Sequence, residues 1–465
     1  MGSAWTLNSE QLTQAEGPSA SVSERYIDLG APGSDTMLQR LWVGACVVAA
    51  STVEHVLVSS FDPEVPPYPE SPQPTGSVPL LLISTAGMVP GDIVTLETLS
   101  GGLARAAAPQ IYRLNRPPVG PGANDSMAVF LSEMVSGWGV KTDISKMWTL
   151  NELLNATSSH IRGYVRFASN STDSTSAALM YCAGSTAGGV HMVADKLVVA
   201  ASEPLTMALL DALGLPRLHD LSHATPLDTY LKKRAGLSHR LVCMWNGATT
   251  PQILHNLASY AVFGRAAICE WNTSTCNHAL ADAQASGPGF AVVGGWSEFE
   301  DKFITSVNAF GGYTHAADWA INLEVLTNLP PSIAKQQRRQ VLLKSSLAPA
   351  KASVAPQNTA THTVTFVFTD GDNVQWMLND MTLPSGNWLG SSAAGTVPMG
   401  FTMPPALATL APVVLGRVHK IAASKGGNIS LIAGTSGIGC AQIDQFPTAG
   451  ALSTFVNLTA DYMGR

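Results

Sequence analysis

The sequence predicts an α/β protein, with small N-terminal α/β domains ahead of a partly complete, barrel-like region of parallel strands. Three observations point there. Short β-branched and aromatic runs alternate with segments of helical spacing along most of the chain. From residue 288 four such runs are separated by about 25–70 residues, room for the helical crossovers that parallel strands need. No period of roughly 20–50 residues recurs, so a solenoid or propeller does not fit.

The elements read in order as follows. Residues 1–50 are a disordered leader, polar over 1–36, and 51–77 a proline-rich linker containing FDPEVPPYPESPQPTG. The first α/β domain spans 78–190. VPLLLIS (78–84) is its first strand, and residues 92–114 are a helix broken near Pro109 and followed by a strand, Gln110–Leu114. Residues 127–160 carry helical spacing, and Arg105 is expected on the surface. In the second domain, 191–287, DKLVVAA and HRLVCMW are strands flanked by helices such as PLTMALLDALG. In the C-terminal domain, 288–465, the strands are GFAVVGGW (289–296), TVTFVFTD (363–370), TVPMGFTM (396–403) and NISLIAGTSG (428–437). TVTFVFTD is expected to be buried. Residues 403–424 read as one well-defined helix, with proline near its start and KGG at its end.

Composition bounds the function. The 465 residues are 46% hydrophobic and 13% charged, as in a globular chain. A net charge of −7 without a long basic block argues against a nucleic-acid partner. No apolar stretch reaches the ~20 residues that span a bilayer. MLQRLWVGACVVAAS (37–51) nevertheless has the layout of a secretory signal. A basic residue precedes an apolar run that ends with Val48 and Ala50 at the −3 and −1 positions. Thirty-six residues precede it, and a true start at Met37 would explain that; a core element of the first domain is the alternative. Asn124, Asn155, Asn170, Asn272, Asn428 and Asn457 open N-x-[ST] sequons, and Cys269 and Cys276 are close enough to pair. A secreted protein is expected.

Polar residues gather where strands end. Trp296, Ser297 and Glu298 follow the first C-terminal strand, Asp370, Asp372 and Asn373 the second, and GTSGIGC (434–440) the fourth. Ligand sites of parallel α/β barrels form at the carboxyl ends of strands, so these loops are a candidate site. Glycoside hydrolysis needs two carboxyl groups about the scissile bond, and Glu298, Asp318, Asp370 and Asp372 are the candidates. Trp296, Trp319 and Trp376 offer faces for sugar rings, or belong to the core. Asp370, Asp372 and Asn373 would also suit a hard cation, or simply form an Asp-Gly turn, and Asp318 would equally cap a helix. His315 is expected at the surface. A nucleophile elbow, a P-loop and an H-E-x-x-H are all absent, and GTSGIG is a poor dinucleotide fingerprint. No cofactor is called for.

Several segments resemble the GxGYxYxP family of glycoside hydrolase-like proteins, over roughly residues 78–465. LETLSGGLARAAAPQIYRL resembles its early helix–strand signature through Leu99, Gly101, Arg105, Pro109, Ile111 and Tyr112. VVGGWSEFED resembles its G-W-x-x-x-E segment. GGYTHAADWAINLEVL resembles its D-W-x-x-N-L run through Gly312, Asp318, Trp319, Asn322 and Leu323. FVFTDGDNVQW resembles its S-D-G-D-N-x-Q segment. In SGIGCAQIDQFP, Gly437 and Gly439 stand at the two signature glycines, whereas Cys440, Gln442 and Ile443 stand where Tyr, Tyr and Pro are expected. Ala394–Gly395 replaces an Arg-Gly pair, and the chain ends soon after the signature. The resemblance implies a deacetylase-type (β/α) barrel at the C-terminus and a carbohydrate substrate. With a carbohydrate substrate, the candidate catalytic acids are Asp370, Asp372, Glu298 and Asp318, and the candidate substrate contacts Trp296, Trp319, Asn322, Asn373, Gly437 and Gly439. A secreted carbohydrate-binding or cell-surface protein that has lost the chemistry is the alternative. Metal-dependent deacetylation fits less well, because no H-x-x-x-H accompanies the acids.

If the chain enters a secretory pathway, its sequons are glycosylated. Expressed in a eukaryotic secretory host, it should lose mass on digestion with a glycosidase that removes N-glycans. An unchanged mass would contradict secretion.

Overall fold

LLLIS, QIYRL, LVVAA, LVCMW and AVVG are rich in branched apolar residues, and all of them form strands whose side chains are mostly or wholly buried. The computed structural model describes Tyr68 and residues 79–106, 109–114, 123–185, 196–247, 254–295, 299–329, 366–370, 373–379, 381–384, 388–434 and 437–464. All lie in one compact unit, Gly44–Arg465. The expected leader, the signal-like run and the linker other than Tyr68 lie outside the described residues, as do Trp296, Glu298 and Asp372.

Thirteen strands are described, in four sheets in which every pairing is parallel. The first sheet holds β1 (Leu80–Ser84), β2 (Gln110–Leu114) and β3 (Thr142–Trp148), in the order β2-β1-β3. The second holds β4 (Ile161–Arg166), β5 (Leu197–Ala201) and β6 (Arg217–Asp220), in the order β5-β4-β6. In the third, β7 (Leu241–Trp245), β8 (Ala267–Glu270), β9 (Ala291–Gly294) and β10 (Tyr313–Ala316) run β10-β9-β7-β8. The fourth contains β11 (Val367–Phe368), β12 (Met399–Met403) and β13 (Ile429–Ala433), in that order. The strands beyond residue 288 therefore divide between two sheets, and β9 shares its sheet with β7 and β8.

Some elements differ from the sequence reading. β3 lies inside the segment expected to be helical; TDISKMW is a sheet edge with an exposed middle, so no buried alternation announces it. β11 is also an edge, and Phe366 and Val367 are 57% and 37% exposed, contrary to the expectation of a buried strand. The helix expected over 403–424 starts as β12 ends and is interrupted. A short turn of helix, Leu407–Leu410, stops before the longer Pro412–Ser424, because proline disfavours helical backbone at Ala411, which has φ −155°. Cys269, in β8, and Cys276, in the helix Ser274–Ala285, form a disulfide.

The helix Pro90–Arg105 is buried on nearly every side and carries polar groups with it. It packs on β5 and on the short helix Ala258–Phe263. A β-carbon on Gly101 would run into Ser259 of that helix, so only glycine allows this approach. Arg105 is buried, not exposed: it donates to the carbonyls of Ala183 and Val262, and burial pulls its guanidinium down to about 10.

At the centre Arg113 of β2 meets Glu97 of this helix and Glu324 of the helix Leu323–Thr327, and all three are at most 1% exposed. Ser259 links them. Its Oγ accepts from Arg113 Nη2 at 2.9 Å and donates to Glu324 Oε2 at 2.8 Å, while its N–H donates to Glu97 Oε2 at 2.6 Å. Ser100 Oγ donates to the other Glu324 oxygen at 2.7 Å. Burial pulls the Arg113 guanidinium below its ordinary value and the Glu324 carboxylate opposes that shift. Removing the single cation would strand two buried carboxylates. Arg113→Ala should lose on the order of 3–5 kcal/mol in denaturant unfolding, several times the loss expected for an exposed arginine such as Arg162. Equal losses for the two would contradict the arrangement.

Candidate functional site

Three strand ends meet. Gly295 follows β9, Asp318 and Trp319 follow β10, and the segment Asp370–Trp376 follows β11. Gly295 sits so close to Asp318 that a β-carbon on it would overlap the Asp318 side chain. The Trp319 N–H donates to Gln375 Oε1 at 3.1 Å, and the Trp319 and Trp376 rings meet edge to face, 4.9 Å between centroids. Trp376 continues to Trp388, and Phe368 stacks on Phe401 while meeting Trp388 edge-on. The three indoles are half-buried. A shelf of partly open aromatic rings beside a few convergent polar groups suits a small-molecule site.

Each expected site residue has a definite place. Asp318 is 4% exposed, its carbonyl accepts from Asn256 Nδ2, and it does not cap a helix, since the following helix is preceded by Asn322. Asp370 is exposed, with a left-handed backbone at φ 73°, and its carbonyl accepts from the Asn373 N–H at 3.3 Å. Asn373 precedes the helix Val374–Leu378, which brings Gln375 and Trp376 to Trp319. Asn322 faces inward. Its Oδ1 accepts from the Arg113 N–H at 2.8 Å and its Nδ2 donates to the Arg113 carbonyl at 3.0 Å, with no exposure. The structure thus brings Asp318, Trp319 and the Asn373 segment together and places Asn322 beneath them. Asp372, Glu298 and Trp296 belong to the same loops but lie outside the described residues.

The signature loop is docked on β10. Cys440 and Thr314 exchange backbone hydrogen bonds of 2.7 and 3.0 Å. A β-carbon on Gly439 would stand 2.8 Å from the Thr314 carbonyl and 3.0 Å from the His315 ring, so glycine is required there. Gly437, at φ 76°, packs on Thr459. Gln442 bonds to Thr305, and its N–H donates to Asn308 Oδ1 at 2.8 Å.

His315 is fully buried, contrary to the expectation of a surface residue. Its Nε2 is hydrogen-bonded to the Tyr68 hydroxyl at 2.7 Å, which reaches Tyr313 Oη at 3.1 Å, with Tyr462 edge-on to Tyr68. Its neighbours THA, all small, made it look isolated in the sequence. This network was not expected; Gln375, the glutamine of the D-G-D-N-x-Q segment, was not named among the site residues and lies on the short helix with Trp376. Among the described residues no group of three His, Cys, Asp or Glu side chains could hold a metal ion.

Comparisons with known proteins fit this geometry. Residues 239–328 match the profile described as the GxGYxYP third domain, the region of β7–β10. Residues 360–465 match the GxGYxYP putative glycoside hydrolase C-terminal domain, the region of β11–β13. Two segments of the chain thus match domain models of the GxGYxYP family. A solved structure, a putative hydrolase from Bacteroides thetaiotaomicron VPI-5482, is 19% identical with a TM-score of 0.65, covering 86% of this chain and 72% of its own; at that identity it shows a shared fold. No curated protein matches the sequence. No helix among the described residues is long and apolar enough to cross a membrane.

Burial pushes the His315 imidazole down to about 3. The native state then binds fewer protons than the unfolded chain below the free value of about 6.5. Stability from this group is complete above about pH 6.5 and is lost as pH falls toward 3, by up to ~1.4 kcal/mol per unit. Between pH 6.5 and 5, before carboxylates dominate, His315→Gln should flatten the pH dependence measured by denaturant unfolding. An unchanged slope would contradict a buried neutral imidazole.

Proposed function

We propose that the protein is a carbohydrate-processing enzyme of glycoside hydrolase type, acting on a poly- or oligosaccharide at the carboxyl ends of β9, β10 and β11. The observation that carries this is the meeting of Asp318–Trp319 with the Asp370–Trp376 segment through Gln375 and the two indoles. It brings two of the family's segments, far apart in the chain, to one place, with carboxylates on both loops. Asp318 and Asp370, with Asp372 and Glu298 on the same loops, supply candidates for the acid/base and for its nucleophile or general-base partner. The half-buried Trp319 and Trp376 rings supply a face for a sugar. Every pairing within the two sheets that hold β9–β13 is parallel, which supports taking these loops as the mouth of a barrel-like, deacetylase-type domain. Secretion is proposed with it. The Cys269–Cys276 disulfide suits an oxidising compartment, and the sequon residues Asn155, Asn170 and Asn272 are exposed.

A non-catalytic, secreted carbohydrate-binding protein is the second reading, and one observation favours it. Cys440 and Gln442, standing where the family has tyrosines, are engaged with Thr314, Thr305 and Asn308, so the loop is stabilised as a packing element without phenolic groups.

Asp370→Asn separates the two. Asparagine tolerates the left-handed backbone at this exposed position, so the fold should persist. On a panel of glycans, wild type should turn over at least one, and the variant should lose on the order of 10²–10⁴-fold in kcat while still binding it. Binding without turnover in both proteins would leave the binding protein.

A further inference from the structure

A second cleft, of about 550 Å³, opens in the sheet β5-β4-β6, away from the loops described above. Its walls come from the carboxyl ends of all three strands: Arg166 closes β4, Ser202 follows β5, and Asp220 closes β6. β4 is central, the chain passes from it to β5 on one side, and β6 pairs with its other side. That is a reversal of strand order, where open parallel sheets form their ligand crevices.

The walls are preformed. Ser174 Oγ accepts from the Ala168 N–H at 2.8 Å and donates to the Leu221 carbonyl at 2.9 Å, tying the loop after β4 to the loop after β6. Asp220 pairs with Arg166 at 3.1 Å and accepts from the Ser222 N–H at 3.0 Å. The Ser222 hydroxyl, shielded from solvent, adds to the hydrogen bonding of the Asp220 carboxylate and helps fix the turn after β6.

The chemistry of the lining selects among ligands. One guanidinium and one carboxylate cancel, and the remaining polar groups are hydroxyls, the Asn170 amide and the His223 imidazole. The Arg166–Asp220 pair leaves no unmatched charge among these lining residues, so neither an anion nor a cation finds a free counter-charge there. From this we infer that the cleft binds a neutral, polyhydroxylated ligand, an oligosaccharide, as a site separate from the loops after β9–β11. It goes beyond the hydrolase proposal and does not depend on turnover.

The test uses the full chain made without N-glycosylation, because Asn170 opens a sequon. It is titrated calorimetrically with cellotriose, xylotriose, maltotriose and chitotriose, and with inorganic phosphate. At least one trisaccharide should bind, the double variant D220N/H223A should weaken that binding tenfold or more, and Asp370→Asn should leave it within twofold. Should the double variant fail to fold, Ser169→Trp, exposed at the lip, should abolish binding by filling the cleft. Absence of binding by all four trisaccharides, binding that the cleft variants leave intact, or phosphate bound in preference would each overturn the inference. Variant-sensitive binding without turnover of any glycan would leave it standing while removing the hydrolase proposal. Turnover with variant-insensitive binding would do the reverse.

Discussion

Arg113 is the fixed point of the molecule. A guanidinium with almost no exposure is tolerable in a protein interior only when its donors are engaged and its charge is matched. Here Glu97 and Glu324 supply the charge, and Ser259 joins all three. These groups come from β2, the long buried helix, the helix Ala258–Phe263 and the helix Leu323–Thr327. No two of those elements can slide without breaking a buried charged contact. Apolar packing alone would tolerate many small displacements of the Pro90–Arg105 helix; a shared ionic network with directional hydrogen bonds does not.

That constraint reaches the candidate site through a short piece of chain. Asn322 clamps the Arg113 backbone from both sides, and it lies two residues before Glu324 and three after Trp319. Asp318 and Trp319 are therefore held by the same interior that holds Arg113. Asn256, whose carbonyl accepts from Arg113, holds the Asp318 carbonyl with its amide. A site built on a loop gains precision when the loop's roots are pinned in this way. The buried polar network is thus the support of the site as well as the tie between the sheets.

Much of the fold was legible from local pattern, because buried parallel strands leave dense apolar runs and their crossovers leave helical spacing. The failures are physical as well. β3 and β11 are edge strands, and an edge has one unpaired side and need not bury its side chains, so pattern misjudged one as helix and the other as core. Sequence pointed to acids and tryptophans at strand ends, and of these the structure brings Trp319 and Trp376 into contact beside Asp318. Asn322 looked like a ligand contact because polar residues near a strand end look alike in sequence; only the three-dimensional path shows that it turns toward β2. Glu97, Arg113 and Glu324 each interrupt an apolar run, LETL, QIYRL and NLEVL. A lone charge inside such a run is the signal that could have pointed to a buried partner; which charges meet is seen only in the structure.

The loop Gly437–Gln442 is held on β10 without tyrosine side chains of its own. What docking on β10 requires is a close approach at Gly439 and two backbone hydrogen bonds from Cys440, and neither needs a tyrosine side chain. Behind this contact Tyr68 supplies a buried phenol from a distant part of the chain, bonded to His315 and Tyr313 on the same strand. His315 must stay neutral to stay buried, and the small Gly439 lets the loop close over it. Backbone shape and the size of one residue hold that interface. Side-chain chemistry in the loop is then free to change while the strand end it covers, and the Asp318–Trp319 turn that follows, keep their positions.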